Sequence, residues 1–70
     1  MKRDINISVG NKIRKFRIRN GLSQEELAEL ASVHRTYVGF IERAERNITL
    51  VSLEKISKAL KINIRDFFDE

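Results

Sequence analysis

The stretch SQEELAELASVHRTYVGFIER, residues 23–43, constrains the chain more than any other. Ser23 precedes Glu26 by three residues, the spacing of a capping box in which each side chain accepts the other residue's backbone N–H. An apolar face of Leu27, Ala28, Leu30 and Ala31 follows, and Ser32-Val33-His34 interrupts it. A second short helix then runs from His34 or Arg35 to Arg43 and turns Val38 and Ile41 inward. Two helices joined through so short a turn meet at a steep angle, as in a helix-turn-helix unit. Ala28 falls where they come closest, a place that excludes a larger side chain. Leu27, Ala31, Val33, Val38 and Ile41 supply the shared core.

The rest of the chain reads as helix on either side of this pair. Proline is absent and Gly10, Gly21 and Gly39 are the only strong breaks, so the connections are short. Val9, Ile13 and Phe16 recur at helical spacing, giving a first helix from Ser8 to Arg19 with Ser8 as its N-cap and Asn20-Gly21 as its stop. Thr49 caps a fourth helix whose inward stripe is Leu50 or Val51, then Leu53, Ile56, Ala59 and Leu60. Asn63 caps a last short helical turn, Ile64 to Phe68. The expected fold is all-α, five helices and no strand, in a single domain spanning 1–70.

Composition excludes several functions. With 41% hydrophobic and 34% charged residues the chain is too apolar for disorder and too charged to span a membrane. Cysteine is absent, which removes disulfides, thiol catalysis and cysteine-held zinc. His34, the single histidine, is expected to start a helix rather than bind metal, and no cofactor is expected. No apolar run of signal-peptide length follows Met1, so the expected location is the cytoplasm. Charge is unevenly spread: residues 1–20 hold seven Lys or Arg against one Asp, whereas 21–32 hold three Glu and no cation. Such a polarised surface attracts phosphate.

These residues carry a resemblance. Residues 8–60 resemble the Cro/CI-type, or xenobiotic-response-element, family of helix-turn-helix repressors, whose domain is lambda-repressor-like. Within it, RTYVGFIERAERNITLVSLEKISKAL, residues 35–60, is similar to the controller proteins of restriction-modification systems. The implied function is sequence-specific DNA binding by a transcription regulator. Two departures stand out. Ser32 occupies a turn position where the family usually has glycine, which implies a left-handed or strained serine. Gly39 and Phe40 occupy the middle of the recognition helix, where polar side chains are commoner.

The resemblance implies roles for particular residues. Arg35 and Thr36, at the start of the recognition helix, are placed to reach base edges: an arginine fork matches guanine O6 and N7, and threonine bonds a base or meets a thymine methyl. Tyr37 joins them, with packing against the preceding helix as its alternative. Gln24, at a helix N-terminus suited to phosphate, is implied to contact the DNA backbone, as are Arg43, Arg46 and Asn47 after the recognition helix. Surface ion pairs with Glu42 or Glu45 are the alternative for the arginines. Arg17 and Glu42 are implied to form an internal ion pair.

Ile64, Phe67 and Phe68 crowd the last seven residues, and two adjacent rings on one helical turn do not both face one small core. One of them is expected to face a second copy in a dimerisation segment, 61–70, although both rings closing the monomer is the alternative. A twofold homodimer sets two recognition helices about 34 Å apart and calls for a pseudopalindromic operator. Glu25, Glu26 and Glu29 form an acidic face that suits RNA polymerase or simply faces water. Two other readings remain open, a phage-type repressor and an antitoxin-like protein-interaction module. No spacing assembles a nucleophile with its base, so an enzyme is not expected.

Overall fold

A computed structural model describes residues 4–68. Residues 1–3 of the expected domain and residues 69 and 70 of the expected dimerisation segment lie outside the described residues. The chain forms α1 (Asp4–Arg19), α2 (Gln24–Ala31), α3 (Arg35–Glu42) and α4 (Leu50–Leu60), then a 3-10 turn, Ile64–Phe67. No strand occurs among the described residues. Helices α2 and α3 are joined by Ser32-Val33-His34 and pack on each other; α1 braces α3, and α4 lies against α2. Val9, Ile13, Leu27, Ala28, Ala31, Val38, Ile41, Leu53, Ile56, Leu60 and Phe67 form one buried core.

Four sequence expectations need correction. The fifth helix is a single 3-10 turn, because its backbone bonds are Asp66 N–H to the Asn63 carbonyl and Phe68 N–H to the Arg65 carbonyl, each three residues apart and 2.9 Å long. Helix α1 begins at Asp4, so Ser8 lies inside it and caps nothing; nothing in 4–8 breaks a helix, and the Asp4 carboxylate suits the first turn. Leu30 is 60% exposed, since Leu27, Ala28 and Ala31 already fill the buried arc of α2 and Leu30 falls outside it. Leu50 and Val51 are also exposed: the inward stripe of α4 starts at Leu53, and the helix's first turn has nothing to cover it.

All four helices end by one device. A left-handed residue follows within two positions of each helix end: Gly21 (φ 70°), Ser32 (57°), Ala44 (58°) and Lys61 (60°). Behind each, a six-residue loop closes through a backbone bond: Leu22 to Arg17, Val33 to Ala28, Glu45 to Phe40 and Ile62 to Ser57, at 2.8–3.0 Å. This is the Schellman ending, and Leu22, Val33 and Ile62 tuck against the core as its hydrophobic partner. Only the first of the four uses glycine. The three others hold an L-residue in a conformation costing about 1–2 kcal/mol each.

Gly10 has a different reason. A Cβ there would overlap the Ile41 carbonyl oxygen and stand 3.0 Å from that of Glu42, so α1 meets the end of α3 backbone to backbone. The distal edge of the core is closed by Phe67, fully buried, whose ring meets Phe16 edge-on at 6.2 Å and 71°.

Replacing Ser32 by glycine relieves the left-handed strain without touching the core. Ser32→Gly is expected to stabilise the fold by about 1 kcal/mol, a rise of about 4–8 °C in Tm for a domain this small. Thermal unfolding followed by circular dichroism checks it, and a lower Tm would contradict the strain.

Candidate nucleic-acid interface

The N-termini of α2 and α3 open on the same side. Ser23 caps α2: its hydroxyl accepts from Glu26 N–H at 3.0 Å, and the Glu26 carboxylate accepts from Ser23 N–H at 2.9 Å. The backbone bond from Ser23, then that residue's hydroxyl, hold the Glu26 carboxyl below its ordinary value. A carboxyl depressed in the folded state adds stability above its unfolded pKa and loses it as pH falls through the folded value, so acid weakens this cap. His34 caps α3, its Nδ1 accepting from Thr36 N–H at 3.2 Å and lying 2.7 Å from Thr36 Oγ1.

An ion pair ties α1 and the start of α2 to the end of α3. Arg17 Nε donates to Glu42 Oε2 at 2.7 Å and Arg17 Nη2 to Glu42 Oε1 at 3.1 Å, while Arg17 Nη1 donates to the Leu22 carbonyl at 2.8 Å. Gln24 Nε2 adds a bond to Glu42 Oε1 at 3.1 Å. The pair is nearly dry, with side-chain exposures of 12% for Arg17 and 3% for Glu42. Its four bonds join α1, the turn after it, the start of α2 and the end of α3. An amide nitrogen carries two hydrogens, so Gln24 keeps one for a ligand.

Around this anchor lies an open groove of about 580 Å³, lined by Gln24, Arg35, Thr36, Gly39, Phe40 and Arg43 among others. The Arg35 guanidinium reaches Glu25 at 3.3 Å, but both side chains are about two-thirds exposed, so the bond holds them weakly. Tyr37 is half-buried against the core, and its hydroxyl accepts from Thr49 N–H at 3.4 Å, which leaves its own hydrogen free. Arg43 pairs with Glu45 at 2.9 Å. Arg46 is exposed, with its guanidinium over the Phe40 ring.

The structure also brings in a residue the sequence reading missed. Asn6, in the first turns of α1, donates from Nδ2 to Asn47 Oδ1 at 2.6 Å. With its oxygen so engaged, Asn47 keeps its amide nitrogen's two N–H donors out of this bond. No sequence signal marks Asn6, because the pairing crosses 41 residues. Of the three expected dimer residues, Phe67 is the correction: fully buried, it belongs to the protomer core, while Ile64 and Phe68 are 38% and 50% exposed. No helix among the described residues is long and apolar enough to cross a membrane.

Two short helices packed through a three-residue turn, a capped second helix and cations along one groove define a DNA-binding regulator of the helix-turn-helix class. The family model for helix-turn-helix domains matches residues 13–67, and the chain belongs to that family. It is 46% identical over 61 residues, 87% of this chain and 73% of the relative, to control protein C.SmaI from Serratia marcescens. The crystal structure of the restriction-modification controller C.AhdI from Aeromonas hydrophila matches with a TM-score of 0.88 at 43% identity, covering 90% of this chain and 96% of that one. The biofilm regulator SinR, in a crystal structure of its complex with DNA, matches at a TM-score of 0.83 and 35% identity, over 87% of this chain and 98% of that one. These relatives are regulators, not enzymes.

Removing one half of the anchor leaves a buried charge unpaired. Glu42→Ala is expected to cost about 3–5 kcal/mol, and replacing both partners by apolar residues of similar volume to cost much less. Urea unfolding midpoints of the single and double variants check this; equal losses would show that the pair is not the element under load.

Proposed function

We propose that the protein is a homodimeric, sequence-specific transcription regulator of the controller type, acting in the cytoplasm on a pseudopalindromic operator and governing a restriction-modification operon. The observation that carries this reading is the convergence of Arg35, Thr36, Gln24 and Arg43 on one open groove at the paired starts of α2 and α3. Arg35 reads guanine, Thr36 and Tyr37 read neighbouring positions, and Gln24, Arg43, Arg46 and Asn47 grip the backbone on either side. Similarity to C.SmaI and C.AhdI along most of the chain supports the controller assignment. Ile64 and Phe68 face the second copy, their exposure supporting a dimer, with Phe67 acting beneath them as core. On bound DNA the exposed carboxylates of Glu25, Glu26 and Glu29 offer a surface to RNA polymerase.

Selection of bound duplexes from random DNA tests the reading. The expected outcome is a two-half-site motif with roughly one-turn spacing. In Arg35→Ala, specificity relaxes at one symmetric position at a cost of about 1–3 kcal/mol per half-site. Enrichment of nothing, with weak binding that salt abolishes, would refute it.

The dimer is tested separately by sedimentation. Ile64→Ala/Phe68→Ala is expected to give a folded monomer at concentrations where the parent protein is dimeric. Phe67→Ala instead loses about 3–5 kcal/mol of fold stability, because it empties the core. A double variant that remains dimeric would place the interface elsewhere.

A further inference from the structure

Gly39 and Phe40 are the two groove-lining residues of α3 that offer DNA no polar side chain, and both lie against Arg43. The Arg43 guanidinium carbon stands 5.4 Å from the Phe40 ring centroid, and that of Arg46 stands 5.1 Å from it. A Cβ on Gly39 would stand 3.0 Å from Arg43 Nη1, 3.4 Å from Gln24 Oε1 and 3.5 Å from Arg43 Nη2, so a side chain there would crowd the guanidinium out of its place by a few tenths of an ångström. Glu45 Oε1 accepts from Arg43 Nε at 2.9 Å and fixes the remaining edge. Arg43 is therefore held by bare helix backbone, an aromatic ring and a carboxylate together. Its Nη groups lie over Gly39, on the wall of the groove that Arg35 and Thr36 also line.

We propose that Gly39 and Phe40 are positioning residues: a cradle that holds the Arg43 and Arg46 guanidinium groups ready for two backbone phosphates before DNA arrives. The inference rests on the DNA-binding reading above and deepens it. An arginine free in solvent surrenders rotamer freedom when it meets a phosphate, whereas one already stacked on a ring surrendered it during folding. An aromatic face attracts a guanidinium through its quadrupole and makes no claim on the N–H donors, which stay available for phosphate oxygens. The anomalous pair thus serves the DNA contact without touching a base. The rival account, in which Phe40 itself covers a sugar or a thymine methyl, predicts a loss on substitution that does not depend on the arginines.

Two measurements decide between them. In the free protein, the δ-methylene and Nε proton resonances of Arg43 and Arg46 are expected to be displaced by the ring current of Phe40. The displacement persists in Phe40→Tyr and vanishes in Phe40→Leu. On a selected duplex, Phe40→Leu is expected to weaken binding by about tenfold per protomer, the cost of ordering two arginines at the interface. Phe40→Tyr restores binding, and in an Arg43→Gln/Arg46→Gln background, measured at low salt where residual binding persists, Phe40→Leu changes nothing further. Gly39→Ala separates stability from binding: Tm holds or rises, because alanine favours helix, while the duplex binds more weakly only when Arg43 is present. Equal losses with and without the arginines would overturn the cradle and leave DNA binding standing. Ring-current displacement in a protein that selects no duplex would overturn the DNA reading and the cradle's role together.

Discussion

The Arg17–Glu42 pair is the interaction on which the DNA-facing surface depends. Without it, three chain ends would meet at one place with no shared partner: the last turn of α1, the first of α2 and the last of α3. Each of Arg17's three nitrogens donates, two to the carboxylate and one to the Leu22 carbonyl, so three of the guanidinium's five N–H donors are committed to structure. Glu42 in turn receives Gln24, which sets the amide at the mouth of α2. A buried pair of this kind contributes little net stability compared with apolar packing, since both ions lose their water. What it supplies is orientation: it fixes how α3 sits across α2, and with it where Arg35 and Thr36 point. Gly10 is the complement on the other side, because only a bare backbone lets α1 approach Ile41 and Glu42 closely enough for Arg17 to reach.

The four left-handed helix endings show what so small a fold sacrifices for compactness. Each reverses the chain within a few residues and satisfies carbonyls that would otherwise be orphaned, which suits a 70-residue chain without proline. Three of the four accept the strain of a Cβ, at Ser32, Ala44 and Lys61. At Ser32 the strain lies inside the turn that sets the crossing of α2 and α3. The turn keeps its form because Val33 is anchored in the core directly after it.

How much of this was legible follows from the range of the forces. Local signals worked: the Ser23–Glu26 box and the Thr49 cap each involve residues close in sequence, and each stands where the spacing put it, while the left-handed Ser32 is what the family resemblance implied. Periodicity located the helices but misjudged their overhangs. Leu30, Leu50 and Val51 have helical spacing, yet burial requires a neighbour, and the sequence does not say where neighbours stop. Phe67 and Phe68 were distinguishable only as a pair with one inward member; the partner that decides, Phe16, lies some fifty residues away in the chain. Asn6 and Gly10 were invisible for the same reason, since what each meets belongs to the far end of α3 or the loop beyond it. Ala44 and Lys61 carry no signal of their own, because any L-residue can be forced into the left-handed well by the bonds around it.

The charges of the site are arranged so that they are held but not locked. Arg35 leans on Glu25 and Arg43 on Glu45, pairs exposed enough that each contributes only about 0.2–1 kcal/mol. A guanine presenting both O6 and N7 offers an arginine about 1–3 kcal/mol of discrimination, so exchange of Glu25 for such a base is favourable where the geometry allows two bonds and close to neutral where it allows one. For the proposed regulator, a weak internal partner therefore holds Arg35 at the groove at little cost in affinity, since breaking the pair costs right and wrong bases alike and leaves the difference between them to the base contacts. The same argument does not extend to Arg17, whose nearly dry partner makes exchange far too costly. Two arginines of one chain, one with a side chain 12% exposed and the other 67%, are thereby committed to opposite tasks, one to the fold and one to the groove.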